Sequence, residues 1–136
     1  MEIYCLIPAR SGSKRIKNKN IKSFHGKPII SHAIFLAKKS RLFKKIFVST
    51  DSNKIASISK KYGAEIPFIR PKNISGDKVP DEKVRNHFIK YCKLKKLKID
   101  YLCYLYPCTP LLEKKTLIDS FKIIKKKKLW KIIYNK

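Results

Sequence analysis

Short unbroken apolar runs alternate along this chain with stretches in which apolar residues recur at helical spacing. Ile3–Ile7 is such a run, ended by Pro8, and predicts a buried first strand. Residues 8–27 are polar, basic and glycine-containing, a long loop directly after that strand. Pro28 suits the first turn of a helix reaching about Lys39, with Ile29, Ile30, Ala33, Ile34 and Ala37 on one face. Ile46–Ser49 predicts a second strand. Asp51 or Ser52 can cap a helix to about Tyr62 that turns Ile55, Ile58 and Tyr62 inward, and Gly63 supplies its stop. Pro67–Ile69 reads as a short third strand, and residues 70–80, with two prolines and a glycine, as a loop. Asp81 opens a helix to about Leu94 with Val84, Phe88 and Tyr91 at helical spacing. Tyr101–Tyr106 is a fourth strand, Pro107–Pro110 a turn, Lys114 to Lys127 a last helix, and Trp130–Tyr134 a fifth strand.

Strand and helix alternate throughout, which predicts an α/β fold with a mainly parallel sheet and helices on both faces. Ligands in such sheets bind beyond the carboxyl ends of the strands. The informative loops are therefore 8–27, 49–51, 70–80 and 106–112. Neither an internal repeat nor a linker interrupts the pattern, so residues 1–136 are read as a single domain.

Composition adds limits. Hydrophobic residues are 43% and aromatics 11% of 136 residues, enough to form a core. No apolar run approaches the roughly 20 residues of a membrane span. No basic segment precedes the apolar residues 1–9, so no signal peptide is read there, and a cytoplasmic protein without a membrane partner is expected. Cys5, Cys92, Cys103 and Cys108 form no C-x-x-C pair and are read as reduced thiols. The net charge of +25 suits a polyanionic partner. Yet 29 of the 34 cations are Lys, spread over the whole chain, with 20 Ile against 5 Ala. That is the mark of an AT-rich coding bias, and the arginine forks that read bases and phosphates are scarce. No nucleic-acid role is expected, whereas a small phosphate-bearing substrate suits the field.

The chemistry concentrates in Pro8-Ala9-Arg10-Ser11-Gly12-Ser13-Lys14-Arg15, followed by Asn18-Lys19-Asn20. A strand delivers the chain into a loop with a flexible glycine, two hydroxyls and closely spaced cations. Such a loop can wrap a polyphosphate or simply be a solvated basic loop. Neither the G-x-x-x-x-G-K-[ST] nor the G-x-G-x-x-G spacing is present. His25, His32 and His87 are scattered, without acid partners, and are read as structural.

Residues 7–14, reading I-P-A-R-S-G-S-K, together with Lys19-Asn20, resemble the opening signature of the CMP-sialic acid synthetase family, the cytidylyltransferases of nonulosonic acids. Residues 24–30 (F-H-G-K-P-I-I) resemble that family's F-x-G-K-P-[LI]-[IL]. Residues 48–51 resemble its V-S-T-D, and residues 61–71 (K-Y-G-A-E-I-P-F-I-R-P) its K-Y-G-A-E-V-P-F-x-R-P. That last segment, with Lys14-Arg15 and Tyr106, is most similar to the pseudaminic acid branch. The resemblance runs from Ile3 to about Leu112.

The resemblance implies a Rossmann-like three-layer αβα sandwich of the nucleotide-diphospho-sugar transferase type. It implies transfer of CMP from CTP to the anomeric hydroxyl of a nonulosonic acid, with release of pyrophosphate. Arg10 and the backbone of Ser11, Gly12 and Ser13 would hold the CTP phosphates. Lys19 would offset charge as pyrophosphate leaves, Asn20 would fix ribose or phosphate, and Arg70 would approach the cytosine. Arg10 and Lys19 are thus the implied catalytic residues. Asp81 is read first as a helix N-cap, with acceptance from the cytosine amino group as its alternative.

Departures from the family are specific. Residues 106–112 read Y-P-C-T-P-L-L where the sialic acid branch carries Q-P-T-S-P-L-R, which favours pseudaminic over sialic or legionaminic acid. Family members continue beyond the fifth strand into a segment with a dimerisation lobe and the acidic residues that hold Mg²⁺. Nothing after Trp130 resembles it, so the fold is expected to be incomplete at its C-terminus, the homodimer segment missing and the metal ligands unidentified. Asp51 is read as a helix cap. A sister enzyme for sialic or legionaminic acid, a nucleotide-binding remnant without turnover and a basic RNA-binding module remain as rival readings.

Overall fold

The computed structural model describes residues 1–127 and the backbone of 132–135. Four strands form one parallel sheet: β1 (Ile3–Pro8), β4 (Lys45–Ser49), β5 (Tyr101–Leu105) and β6 (Ile132–Asn135), in the order β4-β1-β5-β6. The helices are α1 (Ile29–Ser40), α2 (Asn53–Lys61), α3 (Asp81–Leu94) and α4 (Lys114–Lys127). Two residues on each side, β2 (Ser23–Phe24) and β3 (Lys27–Pro28), make a small antiparallel hairpin.

Alternation along the strands divides the core in two. Cys5, Ile7, Ile46, Val48, Cys103 and Leu105 face Ile30, Ala33 and Ile34 of α1, Ile55 of α2 and Leu117 of α4. Tyr4, Leu6, Phe47, Leu102 and Tyr104 face Val84, Phe88 and Cys92 of α3. Period-2 strands between helices of period 3.6 therefore yield three layers, as the alternation predicts. No helix among the described residues is long and apolar enough to cross a membrane.

Two expectations change. The predicted continuous loop over 8–27 contains a 3₁₀ turn at Lys19–Ile21 and the hairpin, whose bend puts His25 and Gly26 at φ 49° and 78°. The predicted third strand at Pro67–Ile69 is two isolated bridges to β4 and its end, Phe47–Glu65 and Thr50–Ile69. Pro67 has no N–H to continue a ladder, so the segment pairs on either side of it, through Glu65 and Arg70 backbone N–H groups at 2.8 Å. The predicted fifth strand is present as Ile132–Asn135, and its predicted start, Trp130, lies outside the described residues. Gly63, at φ 100°, ends α2 in the left-handed turn expected of it.

Candidate functional site

Strand order reverses about β1: the first crossover leads to β4 on one side of it, and the later return leads to β5 on the other. That switch point, at the carboxyl edge of the sheet, is where a doubly wound fold leaves a crevice. A cavity of about 200 Å³ lies there, lined on one side by Arg10, Ser13, Lys19 and Asp77 and on another by Arg70, Asp81, Tyr104 and Tyr106. A second recess of about 440 Å³ shares Arg10, Ser13, Lys19 and Asp77 and adds Lys14 and Arg15.

The loop after β1 is shaped by hydrogen bonds rather than by packing. Ala9 N–H donates to Ser49 O at 2.8 Å, extending the β1–β4 ladder by one residue. Ser11 then gives both its N–H and its hydroxyl to Asp51, at 2.8 and 2.9 Å. Asn20 is buried and donates from Nδ2 to Arg10 O at 2.9 Å, while Cys108 donates its thiol to Asn20 Oδ1 at 3.4 Å. Arg10 Nη1 donates to Gly12 O and to Asp77 Oδ1, the latter at 2.6 Å, and Lys14 Nζ lies 2.7 Å from Asp77 Oδ2. The Lys14 ammonium, with help from Arg10, holds the Asp77 carboxyl below the usual carboxylate range.

The opposite wall is packed. Arg70 is only 4% exposed and donates to Ile74 O at 3.2 Å and Ser49 O at 3.4 Å. Its Nε is buried with no hydrogen-bond partner among the described residues. Burial pulls its pKa down. Tyr104 Oη donates to Asp81 Oδ1 at 3.1 Å, and Tyr106 Oη donates to Asp81 Oδ2. Burial first, and the Asp81 charge second, push the Tyr104 phenol far up, so it stays a donor. Arg85, one helical turn beyond Asp81, lies over the Tyr104 ring at 5.4 Å.

Residues 4–132 match the family described as Cytidylyltransferase. The chain belongs to the cytidylyltransferase family. Among curated cytidylyltransferases it is 40% identical over 121 residues to the pseudaminic acid cytidylyltransferase of Campylobacter jejuni, an alignment covering 89% of this chain and 52% of that protein. It is 48% identical over 77 residues to the CMP-N,N'-diacetyllegionaminic acid synthase of the same organism, covering 57% of this chain and 33% of that one. The solved structure of CMP:2-keto-3-deoxy-manno-octonic acid synthetase complexed with CTP superimposes with a TM-score of 0.73 at 21% identity, over 93% of this chain and 48% of that chain. This last likeness shows the shared cytidylyltransferase fold. The chain spans about half the length of the pseudaminic acid cytidylyltransferase it matches.

Of the residues singled out in the sequence, Arg10, Ser13, Lys19, Asn20, Arg70 and Asp81 line one cavity, while Ser11 and Gly12 do not. Ser11 is committed to Asp51, and Gly12 gives its carbonyl to Arg10. Asn20 has one amide N–H on Arg10 O, leaving its second donor. Two cap readings are corrected. Ser52 caps α2, accepting from Ile55 N–H at 3.2 Å, and Asp51 is drawn to the Ser11 loop instead. Asp81 is the first residue of α3, with Pro80 before it and no side-chain cap bond, because two phenol donors hold its carboxylate.

Among the described residues no three potential ligands gather, and Asp51 and Asp77 are engaged by Ser11 and by two cations. Tyr104 was missed, absorbed into a strand by its apolar neighbours; its spacing of two from Tyr106 at a strand end is the signal that would have found it.

Proposed function

We propose that this chain binds CTP in the 200 Å³ cavity, as part of an enzyme that transfers CMP to the anomeric hydroxyl of a nonulosonic acid, pseudaminic acid foremost, and releases pyrophosphate. The observation that carries this reading is the convergence of Arg10, Lys19 and Arg70, distant in sequence, on one crevice at the switch point of a cytidylyltransferase fold. The resemblance over 89% of the chain to a protein named for pseudaminic acid supports the acceptor.

In-line nucleotidyl transfer needs positioning and positive charge about the transferring phosphorus. Arg10 offers a guanidinium that exchanges Asp77 for phosphate oxygens, and Lys19 supplies a second cation where charge collects on the leaving group. Asn20 holds the loop that carries Arg10, through the Arg10 carbonyl. Arg70, fixed by two backbone carbonyls, brings the remaining donors of its guanidinium to the base.

Calorimetry of CTP against the other nucleoside triphosphates tests the binding, with CTP expected to bind tightest; equal affinity for all four overturns it. Pyrophosphate release with CTP, Mg²⁺ and pseudaminic acid tests the transfer. Weak turnover is expected, because the two carboxylates beside the loop after β1, Asp51 and Asp77, are engaged by Ser11 and by Arg10 and Lys14 rather than left for a divalent ion. A rate on the order of 1 s⁻¹, ordinary for an enzyme, would mean that these residues suffice for catalysis.

A further inference from the structure

The two walls of the cavity differ in charge: Arg10 and Lys19 outnumber Asp77 on the first, whereas Arg70 and Asp81 offset each other on the second. Asp81 forgoes the free N–H groups at the start of α3 and takes both Tyr104 and Tyr106 hydroxyls, one on each carboxylate oxygen. Beside it on the cavity lining is Arg70, almost wholly buried, whose Nε has no hydrogen-bond partner among the described residues. A buried donor left unpaired costs free energy until a ligand supplies an acceptor.

The first wall keeps a net positive charge and the second does not, so a triphosphate is drawn to Arg10 and Lys19 and its base is left toward the Asp81 wall. There the pattern is one charged acceptor next to one donor. Cytosine presents the complement, an amino donor beside ring acceptors. Uracil presents a carbonyl oxygen and a ring N–H instead. An ionised carboxylate only accepts, so it rewards the first base and opposes the second.

Resting on the CTP reading above, we infer that Asp81, oriented by Tyr104 and Tyr106, is the residue that selects an aminopyrimidine over an oxopyrimidine in this cavity. The two tyrosines are positioning residues, which spend their donors on Asp81 so that its remaining lone pairs face the base in one orientation. A purely structural Asp81 would stabilise α3 without sensing which pyrimidine is bound.

The experiment measures CTP, UTP and inorganic tripolyphosphate binding to the full chain and to its Asp81→Asn and Tyr106→Phe variants. The Asn amide both donates and accepts, so it tolerates either base. In Asp81→Asn the ratio of CTP to UTP affinity is expected to fall about ten- to a hundredfold, with tripolyphosphate bound no more weakly than by the parent. Tyr106→Phe should lower the same ratio by less. If Asp81→Asn does not fold, Tyr106→Phe decides alone. An unchanged ratio in a folded variant overturns the inference and leaves the CTP reading standing. A parent chain that binds neither nucleotide overturns the CTP reading itself.

Discussion

The two walls of one cavity are built by different physics. On the α3 side, Arg70 and Tyr104 are buried, Asp81 is half-buried at the start of α3, and Tyr104 packs against the aromatic layer formed with Phe47 and Phe88. On the β1 side, Arg10, Lys14 and Lys19 stand on a loop held by Asn20, by Asp51 and by an ion pair to Asp77. Burial makes the first wall rigid and each polar group in it costly to misplace. Exposure makes the second wall adaptable, screened by salt, and dependent on net charge rather than on exact geometry. Under the proposed function, discrimination between similar bases belongs on the rigid wall, and capture of a flexible polyphosphate on the adaptable one.

The largest effect should come from breaking the packed wall. Phe88 is a fully buried residue of α3, so Phe88→Ala is expected to cost about 3–5 kcal/mol in urea denaturation. Lys14→Ala, on the exposed wall, should leave the denaturation midpoint unchanged. Equal losses would erase the contrast between the walls.

Next come the loop cations. Arg10→Ala and Lys19→Ala should each weaken CTP binding by about 1–3 kcal/mol, the range of a lost charge-assisted hydrogen bond, with an unaltered fold by circular dichroism. Titration at rising salt should narrow both losses. Unchanged CTP affinity in both variants would remove this loop from the site.

A smaller change is expected at Asp77, which occupies the two cations that a triphosphate would use. Asp77→Asn should tighten inorganic tripolyphosphate binding at neutral pH. The Asp77 carboxyl titrates below its ordinary value, so its ion pairs persist above the usual carboxylate range and are lost as pH falls through the lowered value. The difference between parent and variant should close over that acid window. Weaker binding by the variant would show that Asp77 positions Arg10 and Lys14 rather than competing for them.

The smallest signal sharpens the packed wall alone. Tyr104 is raised by burial and by Asp81, so its contribution to stability is complete below the ordinary tyrosine value and fades as pH rises above it. Tyrosine absorbance should therefore titrate with the same amplitude in the parent and in Tyr104→Phe until the chain unfolds. An extra titrating phenol in the folded parent would show that the Asp81 wall is wetter than its packing implies.

Local pattern was enough to read most elements. The spans of α3 and α4 and the stop at Gly63 follow from periodicity and punctuation, which neighbouring residues alone determine. The pairing at Pro67 was misread because a β-bridge depends on the partner strand's free carbonyls, not on the segment's own apolar residues. At the site, Arg10, Lys19 and Arg70 were legible because their motifs are continuous in sequence. That Asp51 leaves a helix cap for Ser11, that Asp77 pairs with Arg10 from 67 residues away, and that Asp81 is gripped by two tyrosines were decided only by the tertiary structure. A carboxylate goes to whichever donors the fold brings nearest. In all three cases those donors stand on another element, beyond the reach of any pattern along the chain.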